Sequence, residues 1–161
     1  MAVASVEMID PDDLLTAAQE HLTRRRRGAP RQTQLRRVVS DLYYAMFHEL
    51  CRQITTEFLA NARRKDQRFR GVYRALNHGS ARDTCQYVVK DPSKSDEERQ
   101  VARTFLRLQQ ARFSADYDPI DRFYLSTVVA LRQDTEAAIE LLRANFPGKA
   151  DLLTRLIFKD R

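Results

Sequence analysis

The sequence predicts an all-α protein, an up-and-down bundle of four to five helices with short additional helices. Three observations point there. Only four glycines and five prolines punctuate 161 residues, and arginine, leucine, alanine, glutamate and glutamine dominate what remains. Apolar residues recur at three- and four-residue spacing in stretch after stretch, with no alternating strand pattern. Helix-starting and helix-stopping residues bracket those stretches. A chain of this length suits one domain, 1–161, and can bury roughly 70% of its unfolded surface without a disulfide or metal staple.

The elements follow in order. Asp10 caps a first helix, Pro11 fits its first position, and Asp12 and Asp13 favour the positive end of its dipole. Leu14, Leu15, Ala18 and Leu22 give it a face, and Gly28, Ala29 and Pro30 stop it. The longest helix runs from Gln32 to Asn61, with Val38, Leu42, Ala45, Met46, Ile54 and Phe58 as its apolar stripe. A third piece covers Asp66 to Asn77, closed by Gly79, with His78 serving that helix end as a cation. A short fourth begins at Ser80. After the turn at 91–95, Ser95 and Glu98 form a capping box that opens a strong helix through Tyr117, ended by Asp118-Pro119. Another long helix spans Ser126 to Asn145, and Pro147-Gly148 breaks it. A last amphipathic piece, Asp151 to Phe158, can pack back on the bundle or serve a partner.

Several function classes are excluded by what is missing. No apolar run approaches a membrane span. The opening residues lack a basic region and turn acidic, unlike a secretory signal, so a cytoplasmic location is expected. Cys51 and Cys85 stand apart, as reduced and inert thiols would. His21, His48 and His78 have no zinc-ligand spacing, and no glycine-rich phosphate loop is present. No metal and no cofactor is expected.

The charge is distinctive. Lys+Arg total 28 against 22 Asp+Glu, for a net charge of +6, yet only five of the basic residues are lysine. Seven arginines lie between Arg24 and Arg37 with no acid among them, and a second basic cluster runs from Arg63 to Arg82. A guanidinium grips phosphate with two hydrogen bonds and stacks on bases, so such clusters suit nucleic acid. They equally suit a solvated basic surface.

Two constellations can carry chemistry. Arg37, Asp41, Tyr44 and His48 are spaced four, three and four, which puts them in one stripe beside the apolar face of the second helix. Such a seam can bind a ligand or pair with a copy of itself; it can equally be a core edge with satisfied polar tips. Arg112 and Asp116 are i, i+4 neighbours, and Tyr117 follows where the helix ends. The three can contact phosphate and sugar, or clasp the helix exit.

The segment around LYYAMFHEL resembles the second-helix motif of the HEPN superfamily (higher eukaryotes and prokaryotes nucleotide-binding domains), through Arg36 or Arg37, Ser40, Tyr43, Tyr44, Ala45, Phe47 and His48. RFSADYDP is similar to the Arg-x-x-Ala-Asp-Tyr-Asp segment of a small bacterial and archaeal branch, and FRGVYRALNHG resembles that branch's third helix. Order and spacing agree over residues 31–145, leaving 146–161 as a C-terminal helical extension. The resemblance implies a helical bundle that forms a homodimer. It also implies RNA or nucleotide binding, often within a toxin–antitoxin or stress-response pair whose other member is nucleotidyltransferase-like. Many members are metal-independent ribonucleases whose signature is an arginine followed, after four to six residues, by a histidine.

This chain departs from that signature. Arg112 stands at the arginine's place, but no histidine follows it, and Tyr117 occupies the position after four intervening residues. Histidine titrates near 6.5 and exchanges protons at neutral pH, whereas tyrosine, near 10, is a poor base. The expectation is therefore binding without efficient cleavage. An arginine- and tyrosine-lined cleft would contain Arg37, Asp41, Tyr44, His48, Arg112, Asp116 and Tyr117. The alternatives are a ribonuclease toxin using Arg112 as anion stabiliser with His48 or Tyr117 as acid or base, and a non-catalytic protein-interaction module.

Overall fold

Helix α2 (Gln32–Phe58) is the axle of the molecule: the other long helices are laid against it or against its neighbour α5 (Asp96–Tyr117). The computed structural model describes residues 9–23, 28–59 and 67–158. Among the described residues there are seven helices and no strand. Alongside α2 and α5 stand α1 (Pro11–Thr23), α4 (His78–Lys90) and α6 (Leu125–Arg143), while α3 (Gln67–Tyr73) and α7 (Lys149–Ile157) are short. The expected all-α bundle with short additional helices is what the chain forms. The arginine run 24–27 and the first part of the second basic cluster, 63–66, lie outside the described residues.

The reason α2 is central lies in its sequence. Leu42, Tyr43, Met46, Leu50 and Ile54 are fully or almost fully buried on it, and Phe105 and Leu108 of α5 and Ile139 and Leu142 of α6 meet them. Each such side chain stabilises the fold by roughly 1.5–3 kcal/mol relative to exposure. Around this stripe α1, α5 and α6 pack on one core. No described helix is long and apolar enough to cross a membrane.

The caps agree with the sequence in part. Asp10 accepts a hydrogen bond from the Asp12 amide at 3.0 Å ahead of Pro11. The Ser95–Glu98 capping box is complete, with the Glu98 amide donating to Ser95 Oγ at 3.1 Å and the Ser95 amide to Glu98 Oε2 at 2.8 Å. The third helix is shorter than expected and the fourth starts earlier. Asn77 is the reason: its side-chain oxygen accepts from the amides of Gly79 (2.8 Å) and Ser80 (3.3 Å), making it the N-cap of α4 rather than the tail of α3. His78 therefore sits at a positive helix start, not at a negative helix end as the sequence reading has it, and it serves no dipole as a cation.

Helix α7 packs back. Leu152, Leu153 and Leu156 are buried, and the helix lies against α2 and α4. It leaves Gly148 with φ of 87°, a left-handed conformation suited to glycine. Cys51 and Cys85 are unbridged and buried, and burial pushes both thiols up to about 12, far from a reactive thiolate.

Candidate nucleic-acid or nucleotide site

Arg112 on α5 projects toward the polar seam of α2. Its guanidinium carbon lies 5.4 Å from the ring centre of Tyr44, 5.5 Å from Tyr43 and 5.9 Å from Tyr117, so one cation faces three tyrosines. Nη2 donates to the Tyr44 hydroxyl at 3.0 Å. Nε lies 2.7 Å from Asp116 Oδ2, an ion pair whose angle falls outside that of a hydrogen bond. Asp116 in turn accepts from Ser40 Oγ at 2.8 Å, which ties the pair to α2. Burial works against the Arg112 cation, but Tyr44, Asp116 and Tyr117 outweigh it, and its pKa ends above the ordinary value. The side chain keeps 24% of its surface open, and Nη1 makes no hydrogen bond among the described residues.

Two histidines extend this cluster, and their partners come from distant parts of the chain. His48 Nδ1 lies 2.7 Å from the Tyr73 hydroxyl of α3. Tyr43, buried in the core, hydrogen-bonds His78 Nδ1, and the His78 ring stacks on Phe47 with centres 4.2 Å apart. Gln109 braces the group from α5 by donating to the His78 carbonyl at 2.9 Å. Burial lowers both histidines below the ordinary 6.5, with further lowering from His78 at His48 and from Arg112 at His78. Both imidazoles are therefore neutral at neutral pH. Burial also raises Tyr43 to about 12, so its hydroxyl stays protonated.

Of the residues expected at the site, Tyr44, His48, Arg112, Asp116 and Tyr117 come together. The upper part of the stripe turns elsewhere. Asp41 is buried against α1, 3.8 Å from His21 Nε2, and Arg37 reaches back to it at 3.6 Å while remaining mostly exposed. Burial raises the Asp41 carboxyl, against the lowering influence of Arg37 and His21. Arg37 and Asp41 thus form a separate polar group next along the seam.

Sequence reasoning missed Tyr73, His78 and Gln109 as members, because nothing local signals a pairing across 25 or more residues. It also left the work of Arg36 undefined. That guanidinium donates to the carbonyls of Ser114 (3.1 Å), Ala115 (2.9 Å), Asp118 (2.7 Å) and Asp121, at and just beyond the end of α5, where helix carbonyls run out of intrahelical partners. Together with the Ser40–Asp116 hydrogen bond, this side chain fastens the helix exit carrying Asp116 and Tyr117 to α2. The chain matches no family model, and comparisons with curated proteins and with solved structures returned no match.

Proposed function

We propose that this chain is a HEPN-like domain that binds RNA or a nucleotide, holding phosphate on Arg112 and a base against its tyrosines. The observation that carries the reading is the Arg112 group itself. A guanidinium beside three aromatic rings, with one Nη that makes no hydrogen bond among the described residues, offers a phosphate donor and stacking faces in one place. Asp116 holds the guanidinium in position through its ion pair. The partly open ring of Tyr44 and the exposed ring of Tyr117 are the stacking surfaces. Arg37, exposed on the same seam, supplies a second cation along the path of a chain of phosphates. The reading includes a homodimer built on this seam and a nucleotidyltransferase-like partner in a toxin–antitoxin or stress-response pair, both drawn from the resemblance.

The test is a mobility-shift measurement with labelled mixed-sequence RNA at low salt and with a chelator present. Retention that weakens as salt rises is expected, and Arg112→Ala should weaken it about tenfold or more, the loss of a charge-assisted contact. RNA that stays unshifted at low salt overturns the reading.

A second reading, metal-independent cleavage of the same RNA, is favoured by the two neutral histidines. If Nδ1 of His48 donates to Tyr73, its Nε2 carries a lone pair that can accept the proton of an attacking 2′-hydroxyl. Arg112 would stabilise the charge that develops on phosphorus oxygens as the 2′-oxygen–phosphorus bond forms and the phosphorus–5′-oxygen bond breaks, the leaving 5′-oxygen taking a proton from the Tyr117 hydroxyl or from solvent. Fragments in the same gel that disappear with His48→Gln select this reading, and intact shifted RNA selects binding alone.

A further inference from the structure

Helix α3 has two unlike faces. Val72 and Tyr73 pack on the bundle, Phe69 stacks on Tyr73 with ring centres 6.0 Å apart, and the Tyr73 hydroxyl lies 2.7 Å from His48 Nδ1. Gln67, Arg70, Gly71 and Arg74, at i, i+3, i+4 and i+7, turn the other way and line an open concavity of about 540 Å³. Arg74 continues the helical turn, its amide donating to the Arg70 carbonyl at 3.1 Å. We propose, on the basis of the RNA-binding reading of the Arg112 group, that this outer face of α3 is a second phosphate subsite for the same ligand. The ligand is then a single RNA strand, laid from Arg112 past Tyr44, His48 and Tyr73 to Arg70 and Arg74.

Charge is the first support. No carboxylate is among the described residues that line the concavity, and neither Arg70 nor Arg74 has an ion-pair partner among the described residues. Arg99, Arg107, Arg132 and Arg143, by contrast, each meet a carboxylate. Two exposed guanidinium groups rooted one helical turn apart, about 6 Å between Cβ atoms, suit neighbouring phosphates of one strand.

Gly71 is the second. A glycine inside an exposed helix weakens it. Neither conformation nor packing asks for one here: its φ is not positive, and a Cβ built on it would meet nothing within 4 Å. What the bare backbone gives is room between the two arginines for a sugar–phosphate chain to come close.

Continuity is the third. From Tyr73 the ring centres step 5.9 Å to His48 and 6.3 Å on to Tyr44, with planes 26° and 30° apart, and the Arg112 guanidinium carbon lies 5.4 Å from the Tyr44 ring centre. Each of these rings keeps part of its surface open. A mononucleotide held on Arg112 ends short of α3, whereas a strand of about three nucleotides or more spans the three steps. Bases locked inside a duplex cannot lie on such rings, and those of a single strand can.

The experiment is fluorescence anisotropy of the full chain with a labelled uridine oligonucleotide of about twelve residues, which has no structure of its own. The Arg70→Gln, Arg74→Gln double variant should bind it about tenfold or more weakly. Its salt dependence, as log K against log salt, should flatten by about 1.4, two phosphate contacts at about 0.7 each. Gly71→Glu, which sets a carboxylate between the arginines, should weaken binding as much, with the helical circular dichroism unchanged. An RNA duplex of the same length should compete about tenfold less well than the strand. Equal affinity and equal salt slope for the parent and both α3 variants, with binding still lost in Arg112→Ala, overturn the α3 subsite and leave the Arg112 reading standing. Binding that falls with the α3 variants but not with Arg112→Ala breaks the continuous path and overturns the proposal too. A duplex that competes as well as the strand refutes the single-strand assignment, and an oligonucleotide that the parent chain does not retain at low salt removes the Arg112 reading and this one together.

Discussion

Arg36 and Arg37 are adjacent in the chain and opposite in what they do. The Arg36 guanidinium fans across four carbonyls of the α5 exit, whereas Arg37 projects into solvent toward one carboxylate. Replacing Arg36 by alanine should cost about 2 kcal/mol or more, because four carbonyls, two of them partly buried, lose one charged donor together. Arg37→Ala should cost no more than about 1 kcal/mol, as exposed pairs do. Urea unfolding of the two variants checks the contrast, and equal losses would refute it. The sequence points to an arginine before the SxxYYAxFH segment but does not tell which of the two matters for the fold. The choice depends on where α5 ends in space. The same holds for His48 and His78. Each is visible as a histidine, but their partners Tyr73 and Tyr43 lie 25 and 35 residues away and are brought near only by helix packing.

Helix boundaries were legible where the signal is local and single. Ser95 with Glu98, Pro11 after Asp10, and the stop at Asp118-Pro119 each combine a cap or a break with a periodic apolar run, and α1 and α5 begin or end there. Between 73 and 80 the signals compete. Asn77, Gly79 and Ser80 each suit a helix end or start, and the decision falls to Asn77 because its side chain reaches two free amides at once. Asn77→Ala should therefore destabilise the protein by about 1 kcal/mol. Loss of less than a few tenths in chemical denaturation would show that the cap is not what sets the start of α4. Gly148 gives a second prediction for an element. An added Cβ there would stand 2.3 Å from the buried Glu98 carboxyl carbon, at a φ of 87° that disfavours any L side chain. Gly148→Ala should cost about 2 kcal/mol or more and loosen both α7 and the capping box of α5. Thermal unfolding reads the first effect, and amide exchange at Ser95 and Glu98 reads the second.

The whole molecule should respond to acid through its two lowered histidines. In the unfolded chain they take up protons near 6.5; in the folded protein burial delays this to lower pH. Between the folded values and 6.5 the unfolded state holds more protons, so stability falls as pH falls through that window and is level above it. The carboxylates lowered by hydrogen bonds, Asp91, Asp118 and Asp151, act only near and below 3.8, and Asp41, raised by burial, acts in the opposite sense above 3.8. The melting temperature should thus decline from pH 7 to pH 5, and the slope should flatten in a His48→Gln, His78→Gln double variant. An unchanged slope would rule the two rings out as its source. At this scale the sequence was a good guide to class and a poor guide to docking. The apolar stripes predicted a bundle, and the amphipathic last segment was readable as a helix, but not that Leu152, Leu153 and Leu156 would seal the core.

The Arg36 fan also bears on how such a chain can diverge. A lysine presents one ammonium at a point and cannot span four acceptors laid out along a helix exit, whereas at position 37 any flexible cation reaches the Asp41 carboxylate. Drift from arginine to lysine is thus open at one residue and closed at its neighbour. Descendants of this sequence that keep the bundle should record that asymmetry.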